Sequence, residues 1–379
     1  MMNLKYNSPI VLKERIDDSH NFKPLPMPTG AYPYRLNIAQ ILGDRTANIH
    51  DQMAFHMVGD TGSVKHSDFQ ALVASTMADQ LSVKQGTPPS FLYHLGDIVY
   101  NHGEAHEYPS QFLEPYASYG APIFAIPGNH DGDINPDTPV PYESLDAFMD
   151  VFCDTHERPV SFGGSINRQS MVQPNVYWTL ETPLARFIGL YANVTKHGTI
   201  TDTQREWFIQ ELRRAAETRR EQALIVCIHH APYSVDSNHG SSLDMIEVLE
   251  SAFIVAGVRP DAVFSGHVHN YQRFEKRYKD GTVVPYIVAG AGGYADLHTI
   301  ARVDDPTVEP LETDSSEVQL QAYCDNCYGF LKLEIEKTTV GLKLTGKYYT
   351  LSNNEGKAET TLYDRFEIPL KRPTFVAID

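Results

Sequence analysis

Five short stretches of this 379-residue chain carry side chains suited to hard cations: GDTG at 59–62, GDIVY at 96–100, GNHD at 128–131, HHAPY at 229–233 and GHVH at 266–269. Their donors are carboxylates, a phenol, an amide and imidazoles, the set that a small, highly charged metal prefers. GDIVY is the densest, because one turn offers both Asp97 and Tyr100. A glycine precedes Asp60, Asp97, Asn129 and His267, which fits backbone that must pack closely around a shared cluster. Asp97 is the natural bridging carboxylate between two ions. Two metals about 3.5–4 Å apart can hold a hydroxide and clamp a phosphoryl group for in-line attack.

The elements before these stretches explain how they could converge. Met53–Val58, Phe91–Leu95 and Pro122–Ile126 are short apolar runs that end at GDTG, GDIVY and GNHD. Ala223–Ile228 leads into HHAPY, and Ala262–Phe264 into GHVH. Helical spacing appears over Asp68–Leu81, Tyr108–Tyr119, Ser144–Phe152, Asp202–Arg220 and Leu243–Val255. Thr201 and Gln204 form a capping-box signature at the start of the fourth. Val176–Leu180 and Arg186–Tyr191 read as further strands, and strand-like runs return from Val283 onward. The alternation predicts an α/β fold with its functional loops at the carboxyl ends of strands. Residues 1–50 are rich in proline and polar groups and predict an irregular arm, leaving 51–379 as a single catalytic domain. The acidic run at 303–317 predicts a solvated loop.

Composition narrows the function. A net charge of −17 argues against broad nucleic-acid binding and against attachment to an anionic membrane. A small anionic substrate stays open, since a metal cluster reverses the local field. No run of apolar residues is long enough to span a bilayer, and the N-terminus has no apolar signal-like core. A cytoplasmic location is therefore the default expectation. Four cysteines are too few for a disulfide framework, and Cys324 and Cys327 form a lone CxxC.

In their order, the five blocks resemble the calcineurin-like metallophosphoesterase superfamily and, within it, the purple acid phosphatases of the small, mammalian-like type. The resemblance spans roughly residues 50–370 and includes AGAGG at 289–293. It implies a four-layer α-β-β-α sandwich of two mixed sheets flanked by helices. Most members of the superfamily carry a histidine where this chain has Gly62, and Tyr100 is placed to substitute for it. A phenolate favours a trivalent ion, so the resemblance implies Fe(III) bound by Asp60, Asp97, Tyr100 and His269. It implies Fe(II), Zn or Mn bound by Asp97, Asn129, His230 and His267. His230 is preferred to its neighbour His229 because the family ligand is followed by one residue and then a proline, here Ala231 and Pro232.

The same resemblance gives His130 a contact with substrate phosphate. It gives His239 a role in binding phosphate or protonating the leaving group. His56, His94, His102, His106 and His197 are expected to make ordinary local hydrogen bonds. The implied activity is hydrolysis of phosphomonoesters by a metal-bound hydroxide, with a small phosphorylated substrate and no nucleic-acid or membrane partner. A phosphodiesterase or nucleotide phosphohydrolase using the same site is the alternative, and a metal-binding module with little hydrolysis a lesser one. The family is often secreted or lysosomal.

Overall fold

A computed structural model of the chain describes residues 5–370, apart from 66–67, 84–85, 165, 167, 195, 197, 220, 313–316 and 355–356. His197 therefore lies outside the described residues. Two large mixed sheets dominate. One has six strands, in the order Lys357–Leu370, Gly341–Asn354, Tyr328–Thr338, Gln52–Val58, Pro89–His94 and Ile123–Ala125. The other has eight: Val318–Cys324, Tyr271–Arg277, Val283–Ala289, Ala262–Ser265, Ala223–Ile228, Ala185–Leu190, Trp178–Glu181 and Arg35–Asn37.

Alternation along the strands builds the layers. In Ala223–Ile228, Ile225 and Cys227 join an inner core with Phe55, Phe91, Phe187 and Leu333, where the two sheets meet. Leu224, Val226 and Ile228 point the other way, into a core shared with helices Asp202–Glu217 and Leu243–Ala256. Helix Asp68–Gln80 adds Val73, Ala74 and Met77 to that outer core. The order is thus helices, sheet, sheet, helices. Strands Gln52–Val58, Pro89–His94 and Ile123–Ala125 pair in parallel, so their carboxyl ends sit side by side.

Several expectations change in detail. The Tyr108–Tyr119 spacing gives only a short π-helical turn at Pro109–Leu113. Thr201 caps its helix by accepting the Gln204 backbone N–H at 3.1 Å. The reciprocal half of the capping box is absent, because the Gln204 amide pairs instead with both backbone groups of Tyr191. The first fifty residues are only partly irregular. Arg35–Asn37 is an edge strand of the larger sheet, and Ile10–Leu12 pairs with Val308–Pro310 from the acidic run. That run is therefore not simply a solvated loop. All four cysteines are free thiols. No described helix is long and apolar enough to cross a membrane.

Candidate metal centre

The five blocks meet at the carboxyl ends of both sheets. Asp60, Asp97 and His267 each leave a strand end with positive φ, at 58°, 52° and 67°. Left-handed backbone is costly for residues bearing a Cβ and persists where its surroundings over-determine it. Here the turns brace one another. Asp60 N–H donates to Gly96 O, Thr61 N–H to Asp97 O, and His267 N–H to Asp60 Oδ2. Close approach also fixes two glycines. A Cβ on Gly128 would lie 2.1 Å from Asp97 Oδ1, and one on Gly62 would lie 2.4 Å from Ile98 O. Position 62 has no room for a side chain.

Tyr100 lies between the groups assigned to the first ion. Its hydroxyl donates to Asp60 Oδ1 at 3.3 Å and is 3.2 Å from His269 Nε2. His269 Nδ1 donates to Asp296 O at 3.1 Å, which leaves Nε2 bare toward Asp60 and Tyr100. On the other side, His267 Nδ1 is 2.9 Å from Asn129 Oδ1. Asp60, Tyr100, Asn129, His267 and His269 are all buried. The structure thus gathers Asp60, Asp97, Tyr100, Asn129, His267 and His269 in one cluster.

The two adjacent histidines take different places in the cluster. His229, not His230, faces the carboxylates: its Nε2 is 3.3 Å from Asp97 Oδ2, and its Nδ1 donates to Leu95 O at 2.8 Å. Asp60, Asp97 and His229 offer donor atoms within 4.8 Å of one another. His230 stacks on His267, ring centroids 4.3 Å apart. The apolar run sets the alternation of strand residues, but which of two adjacent imidazoles turns inward depends on how the turn leaves the sheet.

The electrostatics are those of a site with excess buried negative charge. Burial raises Asp60 well above the usual carboxylate range, and the charge of Asp97 adds to this. Burial works to raise Asp97 too, but His229 and His130 outweigh it and hold Asp97 below the ordinary range. Burial works to lower His229, and Asp97 overcomes it, lifting the imidazole to about 9. Burial, with the charges of Asp97 and Asp60, raises the Tyr100 phenol well above its ordinary value. Burial lowers His269 to about 3. Multivalent cations invert this balance by stabilising the deprotonated donors. The donors fit such ions. His229 Nε2 is fully buried yet makes no hydrogen bond, although Asp97 is near.

Two further residues escape a reading based on donor types alone. Asp131, the last residue of GNHD, accepts N–H groups from Ile98, Val99 and Gly128, tying the second and third turns together. Burial and the Asp97 charge raise it to about 7. Tyr294, just beyond AGAGG, packs tilted against Tyr100 and His269 with centroids 4.3 and 4.4 Å away. The motif context was the available signal for both.

A cavity of about 940 Å³ opens over the cluster, and Asp97, Tyr100, His130, His239 and His269 help to line it. His130 Nδ1 donates to Asn101 O at 2.6 Å, leaving the other ring nitrogen free of that bond. His239 lies against His267, centroids 4.2 Å apart. Of the histidines expected to bond locally, the four among the described residues have local partners. His56 is 3.0 Å from the Tyr119 hydroxyl and 3.1 Å from Gln80 Oε1. His94 joins Thr61 to the Gly96 amide, His102 pairs with Asp133, and exposed His106 lies beside Glu107.

The chain belongs to the calcineurin-like phosphoesterase family, whose profile matches residues 53–271. It is similar to purple acid phosphatase 15 of Arabidopsis thaliana, 25% identical over 305 residues covering 78% of this chain and 52% of that protein. Purple acid phosphatase 23 of the same plant is 26% identical, covering 76% of this chain and 58% of the relative. The chain thus spans little more than half the length of these relatives. In fold it resembles GAP50, described as the anchor in the inner membrane complex of Plasmodium, with TM-score 0.53 and 14% identity over 85% of this chain and 90% of that one.

Proposed function

We propose that the chain is a binuclear metal-dependent phosphatase that hydrolyses phosphomonoesters. The observation that carries this reading is the convergence of Asp60, Asp97, Tyr100, His229 and His269 at braced strand ends, beneath an open cavity. We assign Asp60, Asp97, Tyr100 and His269 to Fe(III). We assign Asp97, Asn129, His229 and His267 to Fe(II), Zn or Mn. His229 replaces His230 in this set because it has the form of a ligating imidazole, with one nitrogen on a backbone carbonyl and the other toward the site.

Bound cations would supply an acidified water and neutralise phosphoryl oxygens. The protein's own groups orient the reaction. Asp97 spans the two donor sets, and the His130 N–H fixes one of its oxygens at 3.0 Å. His130 presents its ring to the phosphoryl group, and His239 lies on the leaving-group side. A small phosphorylated substrate suits a cavity walled by His130, His239, Lys13 and Lys196 despite the acidic chain.

Visible absorption and metal content, followed by phosphatase assays, test this reading. A tyrosinate–iron band that disappears in Tyr100→Phe, with monoester hydrolysis faster than diester hydrolysis, is the expected result. Metal-replete protein inert toward every phosphoester would overturn it.

A further inference from the structure

A second group of donors stands at the wall of the cavity, outside the cluster assigned above. Asp236, His239 and His298 offer ligand atoms within 4.8 Å of one another. Asp236 is fully buried. Its Oδ2 accepts the N–H groups of Asn238 and His239, while its Oδ1 has no hydrogen-bond partner. His298 is aimed at this carboxylate. Its Nδ1 is 3.4 Å from Asp236 Oδ2, its side chain is 9% exposed, and it forms no hydrogen bond there.

This is a pairing at contact distance that is out of line. An imidazole and a carboxylate positioned only for each other gain most by aligning the N–H with the oxygen. Leaving His298 Nδ1 and Asp236 Oδ1 buried and unsatisfied costs free energy. Donors directed at a shared third body instead sit close without bonding each other. The same geometry occurs at His229 and Asp97, where Nε2 and Oδ2 are 3.3 Å apart and His229 Nε2 is also without a hydrogen bond. The partners of the two pairs come from separate segments: Asp97 follows Pro89–His94, and His298 follows Val283–Ala289.

The second cluster is also held in place before any ligand arrives. Gly240 N–H donates to Asp236 O, His298 N–H to His269 O, and Asn270 Nδ2 to His298 O. Ile10 N–H donates to Ser234 O and Ser241 N–H to Ile10 O, so the N-terminal segment clamps the loop carrying Asp236 and His239. The ring of His239 lies tilted against His267 and that of His298 stacks on His269, each with centroids 4.2 Å apart. His239 and His298 both line the cavity.

We propose that Asp236, His239 and His298 form a third cation site, of the zinc class, in the wall of the cavity. One carboxylate oxygen and two imidazole nitrogens are a three-ligand set that leaves a coordination position for water or substrate. An ion there would act on the leaving-group side of a bound ester, and His239 would reach that side through the ion. The site stands on its own donors and does not depend on the dimetal reading.

Metal content of full-length protein loaded with Co(II) and dialysed tests it, read together with the d–d absorption of low-coordinate Co(II) and with circular dichroism as a folding control. The wild type should hold three equivalents. His298→Gln and Asp236→Asn should each hold two and lose part of the d–d intensity, and His298→Gln leaves the buried turn at Asp236 intact. Asp97→Asn should retain the equivalent that those variants lose. Wild-type content in a folded His298→Gln protein would overturn the proposal, as would loss of every equivalent in folded Asp97→Asn. Loss of the Asp236-dependent equivalent alone from a wild type holding only one would instead overturn the dimetal reading and leave this site standing.

Discussion

The floor and the wall of the cavity are built differently. The floor consists of turns that follow directly from Gln52–Val58, Pro89–His94 and Ile123–Ala125, neighbours in one parallel set, and from Ala223–Ile228 and Ala262–Ser265, neighbours in another. Its donors are fixed by backbone bonds between turns and by Asp131, which holds two of them together. The wall is assembled from Ile10–Leu12, the 234–241 loop and the segment around His298, which are far apart in sequence and meet through a few main-chain bonds. Rigid sheet positions donors closely; the loops set what surrounds them. Damage to the floor should therefore abolish chemistry, whereas damage to the wall should modulate it.

The largest effect is expected from the histidine pair. His229→Ala removes the imidazole that reaches Asp97 and leaves that carboxylate without its main buried counter-charge. Metal affinity should fall beyond about 100-fold, the upper end for changes one layer further out. His230→Ala removes a stacked ring and should retain most bound metal. Titration of metal-free protein with Zn(II), read by competition with a chromophoric chelator, separates the two. The reverse order would restore the assignment based on spacing to Pro232.

Next comes Asp131→Asn. The substitution keeps the shape but cannot accept three N–H bonds as a carboxylate does, since its amide nitrogen is a donor. The turns holding Asp97 and Asn129 should loosen, with metal affinity falling about 10–100-fold. The same titration measures it. An unchanged affinity would mean that the strand ends alone hold the floor, and the contrast with the wall would then rest on the sheet rather than on Asp131.

The same contrast explains what could be read in the sequence. The apolar runs ending at Val58, Leu95 and Ile126 announce strands, and the donors just beyond them announce a site, because each signal is local in the chain. That His229 rather than His230 comes close to Asp97 was not legible, since it turns on the peptide geometry leaving Ile228. Asp131 could be noticed only as part of GNHD, because its work is done by long-range N–H bonds to residues 98 and 99. Of the wall, only His239 was legible, through the family resemblance. Nothing in NSPIVL or in the acidic run states that Ile10–Leu12 pairs with Val308–Pro310. Likewise, nothing near LHTI marks His298 as a neighbour of Asp236, because that contact exists only once both loops are folded onto the sheet.

Gly240→Ala gives the smallest effect and bears most directly on the wall. Gly240 has φ of +65°, and a Cβ there would lie 3.2 Å from Leu12 N and 3.3 Å from Ile10 O. Left-handed backbone costs a residue with a Cβ about 1–2 kcal/mol, and the added methyl presses on the strand that clamps the loop. The protein should remain folded, with its unfolding free energy lowered by about that amount in a denaturant titration. The loop bearing Asp236 and His239 should shift, while the Asp97 cluster, braced by other bonds, should not. Metal equivalents that depend on Asp97 should thus survive in Gly240→Ala at full occupancy, and KM for a monoester should rise more than kcat falls. If the Asp97-dependent equivalents were lost as well, floor and wall would be one cooperative unit, and the N-terminal segment would have to be counted among the supports of the metal centre itself.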